Sequence, residues 1–269
     1  MKPNRAFLFI VSAHLLLIFW GCSKTRPPVD DIPIPPLFVL LDRCESNYAA
    51  LEDFEAEGIL VVKGPEVSSA VGFRMAYLVP DYLKMQFSGS MGVRLGSLVV
   101  ADGYYELKSS NKAFDDVGEL HSLSLLEKFG LPLDGNDIFN LLIPLAFKPL
   151  DSTKATLSKD YQKQAFKTVM ITDEEEIQTV WFDPYAPVVT CELLQTADFD
   201  TIYYRRSGEF RRRSGVYFPY FWNVSIEGDE GMYNIKIKIN RLWINRGLKT
   251  DLFSIQHDVT ADSLEAHHD

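Results

Sequence analysis

Apolar and polar residues alternate along residues 82–87 and again along residues 93–99. Alternation with a period of two is typical of strands that bury one face, so these stretches predict a β-hairpin. The five residues between them, Ser88-Gly89-Ser90-Met91-Gly92, are small except for the methionine. An apolar side chain is costly to leave in water. We therefore expect Met91 either to fold back onto the sheet or to contact something apolar, such as lipid.

Further stretches with the same period indicate a large sheet. Short turns such as Pro80-Asp81 join them, which gives antiparallel connections without a βαβ pattern. A sheet of about ten strands tends to curl, so the predicted fold class is α+β, mainly β, built on an open antiparallel β-barrel. The other predicted strands cover residues 58–63, 69–78, 104–108, 166–171, 176–183, 188–195, 201–206, 216–226, 233–240 and 251–255.

Helical spacing replaces this pattern in three places. Residues 37–58 carry apolar side chains at intervals of three, four and seven, which predicts an N-terminal amphipathic helix. Short helices are predicted over residues 123–130 and 135–144. If the sheet encloses these short helices, its inward side chains bound an apolar cavity. The predicted lining residues are Phe73, Met75, Leu83, Met85, Phe87, Ile138, Leu141, Leu142, Ile235 and Ile237.

The N-terminal segment has the composition of a targeting sequence. Residues 1–21 combine Lys2 and Arg5 with a long apolar stretch, which predicts a signal peptide. The run Phe19-Trp20-Gly21-Cys22 resembles a bacterial lipobox and implies that Cys22 is lipidated. A plain secretory signal or an uncleaved anchor is the alternative.

The remaining chain divides into three parts. Residues 22–36 are polar and rich in proline, which predicts a lipidated, flexible tether. Residues 37–256 are expected to form one half-barrel domain. The polar residues 257–269 are expected to be a disordered tail.

The charge of the chain narrows the class of partner. The formal net charge is −10, and removal of residues 1–21, which hold two bases and no acids, makes the remainder more acidic still. An acidic surface argues against nucleic acid and against broad electrostatic docking on anionic lipid. The acidic surface does not exclude a protein partner or an apolar ligand.

The sequence offers little for catalysis or metal binding. Of the five histidines, one lies in the predicted signal peptide and three in the tail, which leaves His121 alone in the body. No nucleophile elbow, zinc motif or phosphate-binding glycine loop occurs. We therefore predict a protein that is not an enzyme and has no metal and no cofactor.

Cys44 and Cys191 are the cysteines of the predicted domain. In an oxidising compartment they could form a disulfide, or both could be small core residues.

Several arginines flank a predicted hairpin tip at Ser207-Gly208-Glu209-Phe210. They could bind lipid phosphates or an acidic partner protein, or they could belong to a solvated turn. The residues are Arg205, Arg206, Arg211, Arg212 and Arg213.

Taken in order, these features resemble the LolB family of outer-membrane lipoprotein receptors over about residues 37–243. The resemblance begins with Cys22, a first helix, a strand pair and the Ser88–Gly92 run. It continues through runs of matching size and polarity. These are Leu131-Pro132-Leu133, Ile138-Phe139-Asn140-Leu141-Leu142, Phe218-Pro219, Ile235-Lys236-Ile237-Lys238-Ile239-Asn240 and Trp243.

The resemblance implies a lipid-anchored monomer on the periplasmic face of the outer membrane. It would take acylated lipoproteins from a periplasmic LolA-like carrier, hold their acyl chains in the predicted cavity and insert them into the membrane. Met91 and Gly92 would form the membrane-insertion loop. Two alternatives are an envelope sensor or interaction module without transfer activity, and a carrier of other lipids.

Overall fold

The computed structural model describes residues 26–65, 67–110, 112, 114–125, 132–142, 145–146 and 149–255. The predicted signal peptide, the lipidation site Cys22 and the predicted tail lie outside these residues. Most of the helix predicted over residues 123–130 and the end of the helix predicted over residues 135–144 also lie outside them.

The described residues form two α-helices and fifteen strands. Helix α1 comprises Leu37–Ala49 and helix α2 comprises Gly135–Leu142. Strands β1 to β15 comprise, in order, Asp53–Lys63, Ser68–Leu78, Tyr82–Ser88, Arg94–Ala101, Tyr104–Ser109, Asp116–Glu119, Thr156–Asp160, Ala165–Ile171, Ile177–Phe182, Val189–Gln195, Thr201–Gly208, Arg211–Arg213, Val216–Phe218, Phe221–Gly228 and Gly231–Ile244.

Thirteen of these strands form one antiparallel sheet in the order β6-β5-β4-β3-β2-β1-β15-β14-β11-β10-β9-β8-β7. The edge strands β6 and β7 do not pair with each other, so the sheet stays open as it curves around the helices. The predicted fold class is confirmed, with a larger sheet than expected. The sequence did not predict β6, β7 and β12, because these short strands are polar and lie at edges where alternation is not required.

The pairing of β1 with β15 connects the two halves of the sheet. Its register runs from Phe54 opposite Ile244 to Lys63 opposite Asn234. The register shifts between Glu57 and Gly58, which is a β-bulge. A Cβ atom on Gly58 would lie 2.1 Å from the carbonyl oxygen of Lys238, so glycine is required for this close approach.

Two apolar clusters fill the concave side of the sheet. Helix α1 packs its apolar face, which includes Leu40 and Cys44, against strands β8 to β10. Helix α2 packs into a larger cluster formed with strands on both sides of the β1–β15 junction. The rings of Phe139 in α2 and Tyr77 in β2 lie 5.8 Å apart. The burial of both helices explains why the open sheet needs no closure by hydrogen bonds.

The structure corrects three predicted boundaries. Helix α1 ends at Ala49 rather than near Gly58, because the chain enters β1 at Asp53 and its alternate residues face the concave side. The described part of the predicted tether, residues 26–36, packs onto the domain, since Val29 is only 1% exposed and belongs to the cluster under α1. The strand predicted over residues 251–255 is a 3₁₀ turn, Thr250–Phe253, with Phe253 buried on the convex face.

The two cysteines do not form a disulfide. Both are free and buried. Cys44 packs with Phe182 beneath α1, whereas Cys191 packs with Trp181. Phe182 and Trp181 are consecutive in β9 and so point to opposite faces of the sheet, which places the sheet between the two thiols. Burial also raises the pKa of the Cys44 thiol to about 12.

The β-bulge at Gly58 gives a test of the junction. We expect Gly58→Ala to destabilise the protein by about 3 kcal/mol, because the added methyl group must push β1 away from β15. Gly208→Ala is the matched control, since the nearest atom to its Cβ is a Phe221 ring carbon at 3.9 Å, and we expect a change within about 0.5 kcal/mol. Urea unfolding of both variants would measure the difference, and equal stabilities would contradict this view of the bulge.

Candidate functional site

The turn between β3 and β4 presents Met91 to solvent. The amide of Gly89 donates to the carbonyl oxygen of Val93 at 2.8 Å, which closes the turn. Met91 has φ 59° and Gly92 has φ 76°. A bulky residue in the left-handed region is uncommon. The Met91 side chain is 98% exposed, so it does not fold back onto the sheet.

Met91 is part of a larger apolar protrusion. Val93 is 59% exposed and Leu95 is also an exposed apolar residue. No acidic residue occurs between Tyr82 and Ala101, whereas Arg94 lies within the protrusion. Among the other hairpin tips at the same end of the strands, three carry two or more acidic residues each. These tips contain Asp173, Glu174 and Glu175, then Asp198 and Asp200, and finally Asp229 and Glu230. The β3–β4 tip therefore differs in chemistry from these neighbours.

A cleft of about 630 Å³ lies beside this turn and reaches the bulge between β1 and β15. Gly58 and Gly72 supply only backbone to its wall. Its lining residues are Glu57, Gly58, Gly72, Phe73, Arg74, Gln86, Phe87, Ser88, Gly92, Arg94, Asn240 and Arg241. The cleft is thus lined mainly by polar and charged residues.

Charged side chains crowd one part of this cleft. Glu57 accepts from Arg74 at 2.6 Å through one carboxylate oxygen and pairs with Arg241 at 3.3 Å through the other. Arg94 donates to the Ser97 hydroxyl at 3.0 Å, and within the described ranges it forms no ion pair. Three arginines therefore line the cleft with one glutamate, which leaves a local excess of positive charge in an acidic protein.

Phe73 and Phe87 lie at the boundary between the cleft and the interior. Both contribute to the lining of the cleft, but their side chains alternate with those of Arg74 and Gln86 and so face the concave side, where they belong to the large apolar cluster or pack against it. The other eight residues predicted to line an acyl cavity lie in or against this same cluster. The structure therefore brings the ten predicted residues together. They pack on one another in this conformation, and their role in holding acyl chains stays a prediction.

Helix α2 forms a wall of this interior and is fixed at its N-terminal end. The side chain of Asp134 accepts from the amides of Asn136 and Asp137 at 2.7 and 3.0 Å, and Asp137 accepts from the amide of Asp134 at 3.0 Å. This reciprocal arrangement is a capping box. Burial raises the pKa of the Asp137 carboxyl above its usual value.

A buried ion pair fixes the other end of α2. Arg205 and Glu192 are each 1% exposed, and their side chains pair at 3.3 Å. Arg205 also donates to the carbonyl oxygens of Asn140, at 3.1 Å, and Leu145. These carbonyls lie at the C-terminal end of α2 and just beyond it, where helix carbonyls lack partners and a cation is favourable. The ion pair therefore ties the helix to the sheet.

The burial of Arg205 also changes the predicted arginine patch. Arg205 is not part of an exposed surface. In the ribbon of β12 and β13, the guanidinium of Arg211 lies 4.2 Å from the ring centroid of Tyr220, and that of Arg212 lies 5.7 Å from Tyr217. These contacts are those of a solvated turn whose cations cover aromatic rings. A role in binding phosphates stays a hypothesis.

The described residues show no arrangement suited to catalysis by metal or histidine. His121 is exposed and lies 3.3 Å from Glu119. No group of three or more His, Cys, Asp and Glu side chains that could hold a metal occurs among these residues. Neither described helix has the length and apolar composition needed to cross a bilayer.

No protein-family model matches the sequence, and no curated protein is similar to it. Solved structures are similar in fold. A domain named for outer-membrane lipoprotein sorting from Vibrio parahaemolyticus has a TM-score of 0.54 and 12% identity, covering 80% of this chain and 95% of its own. A DUF1329 family protein from Desulfovibrio piger has a TM-score of 0.58 and 12% identity, covering 82% and 98%.

A LolA superfamily protein from Nitrosomonas europaea is similar to the same degree. Its TM-score is 0.53 at 8% identity, and the alignment covers 82% of this chain and 99% of that protein. Identities this low establish shared fold only. The chain therefore has the LolA-like fold that its sequence predicted.

The buried ion pair beneath α2 can be tested by mutation. Arg205→Leu leaves Glu192 buried without its cation and removes the donor to the carbonyl oxygens of Asn140 and Leu145, so we expect a loss of about 3–5 kcal/mol of unfolding free energy. The double variant with Glu192→Leu should recover part of this loss, since no unpaired charge stays buried. Urea unfolding measures both. A single variant as stable as the parent would show that the pair does not hold α2.

Proposed function

We propose that this protein accepts acylated lipoproteins in the bacterial envelope and inserts their acyl chains into the outer membrane. One observation carries the proposal: the exposed Met91 turn joins β3 and β4, two strands whose concave side chains belong to the apolar interior or pack against it. An acyl chain would pass between the interior and the bilayer past Phe73 and Phe87. Lipidation at Cys22, delivery by a periplasmic LolA-like carrier and action as a monomer are parts of the same proposal.

Binding of an acyl chain at such a site would replace contacts between side chains with contacts to the acyl chain, rather than fill a preformed cavity. Burial of an acyl chain of about 16 carbons is worth roughly 12 kcal/mol relative to water. The side chains that pack together in the described conformation would have to separate, which offsets part of this gain. An acyl chain bound with this reduced free energy would be more stable in the bilayer, where no side-chain packing has to be disrupted. The release step then needs contact with the membrane, which Met91 supplies.

Helix α2 is the element we expect to move. It contributes Ile138, Leu141 and Leu142 to the interior and is held at one end by its capping box and at the other by Arg205. Displacement of the helix as a unit would keep its capping box and its own hydrogen bonds, and it would require Arg205 to release the carbonyl oxygens that it holds. Its apolar face would then cover the acyl chain instead of the sheet.

The alternative is an envelope sensor or interaction module of the same fold that does not transfer lipoproteins. The dense interior favours this alternative, since an interaction module needs no space for an acyl chain. Depletion of the protein separates the two functions. Lipoproteins retained at the inner membrane would support transfer, whereas unchanged sorting would support the module. Mass spectrometry of ligand that co-purifies with the protein would identify other lipids as cargo.

Met91→Glu tests the transfer step. A carboxylate within the bilayer costs about 2–3 kcal/mol, so we expect insertion of acylated cargo into membranes to fall roughly tenfold or more. The fold should be unchanged, because Met91 makes no buried contact. Transfer of labelled lipoprotein from carrier to outer-membrane vesicles is the measurement.

Two control variants sharpen this experiment. Met91→Leu keeps an apolar side chain and should transfer normally. Tyr161→Glu places the same carboxylate on an exposed residue of the β7–β8 turn, which lies at the opposite end of the strands, and should also transfer normally. Normal transfer by Met91→Glu would exclude Met91 from insertion.

A further inference from the structure

The arginines beside the Met91 turn form a cluster that the proposed insertion of acyl chains does not use. Arg74 in β2, Arg94 in β4 and Arg241 in β15 line one cleft. Glu57 is the one acidic residue in the lining, and it already receives Arg74 and Arg241 on its two oxygens. The positive charge of the cluster therefore exceeds the negative charge of its one carboxylate.

The geometry of the cluster suits an anion with several oxygens. Glu57 fixes Arg74 and Arg241 from opposite sides, so their guanidiniums are held near each other despite like charge. The side chains of both arginines stay about 70% exposed, which leaves N–H groups directed to solvent. Guanidinium groups in this state are preferred ligands of phosphate oxygens, since each can donate two parallel hydrogen bonds.

The surroundings of the cluster favour a lipid source for that anion. Met91, Val93 and Leu95 expose apolar side chains next to the cleft, and Arg94 is between the last two in sequence. A free phosphate ion would gain nothing from contact with such apolar surface, whereas a phospholipid presents phosphate and hydrocarbon together.

We infer that the cleft beneath Met91 binds the phosphate headgroup of an anionic membrane phospholipid through Arg74, Arg94 and Arg241. This inference rests on the proposed membrane contact of Met91 and adds a headgroup site to it. The net charge of −10 opposes diffuse attraction to anionic lipid, so recognition has to come from short-range contacts at this cleft. The headgroup would orient the turn so that its exposed apolar side chains face the bilayer.

A probe at the turn tests the inference. The full-length chain is reconstituted in vesicles of phosphatidylethanolamine alone or with a minority of phosphatidylglycerol, with an environment-sensitive fluorescent amino acid in place of Val93. We expect a blue shift on membrane contact and a larger shift when phosphatidylglycerol is present. Arg241→Gln should lose the phosphatidylglycerol-dependent increment, and so should Arg94→Gln. Arg241 is remote from the probe in sequence, so its effect reports on the cleft.

Arg43→Gln is the matched control, because Arg43 is an exposed arginine of α1 that does not line the cleft, and it should keep the increment. An increment that survives Arg94→Gln and Arg241→Gln would overturn the headgroup site while leaving the membrane role of Met91 intact. A probe that shifts in no vesicle would overturn both. Slower cargo acceptance in Arg94→Gln with an unchanged probe response would assign the cleft to an acidic partner and also overturn the inference.

Discussion

The pairing of β1 with β15 is the contact on which the rest of the structure depends. It joins six strands on one side to seven on the other, and it connects residues almost two hundred positions apart in sequence. Gly58 allows this pairing at its bulge, where any side chain would meet the carbonyl oxygen of Lys238. The bulge also lines the cleft and places Arg241 beside Glu57. The same β-bulge is thus part of the pairing between the two halves of the sheet and of the cleft beside Met91.

The concave interior combines apolar packing with one buried polar feature. Across strands β9, β10, β11 and β14, residues Val180, Glu192, Arg205 and Val224 lie opposite one another in a row. The two valines belong to different apolar clusters, so the ion pair separates the packing under α1 from the packing around α2. Because the pair binds backbone carbonyls of α2, it fixes the helix by directional contacts rather than by packing alone.

The distribution of charge confines membrane contact to one part of the surface. The protein is acidic overall, and three hairpin tips at the Met91 end of the strands carry two or more carboxylates each. The β3–β4 tip instead exposes apolar side chains above a cleft with three arginines. Acidic neighbours are repelled from anionic lipid at short range, so they would keep the sheet from lying flat on a bilayer and leave the β3–β4 tip to touch it.

The sequence by itself determined the local elements and the chemistry of the tip. Period-two alternation located most strands, and an isolated methionine among glycines marked the turn that exposes it. Only the tertiary structure decided the pairing across the two halves, the edge strands β6 and β7, the free state of Cys44 and Cys191, and the packing of residues 26–36 onto the domain. It also brought Arg74, Arg94 and Arg241 into one cleft and placed Arg205 in the interior. The physical reason is that side-chain periodicity reports which face a residue occupies, whereas partners distant in sequence are set by the register and curvature of the whole sheet.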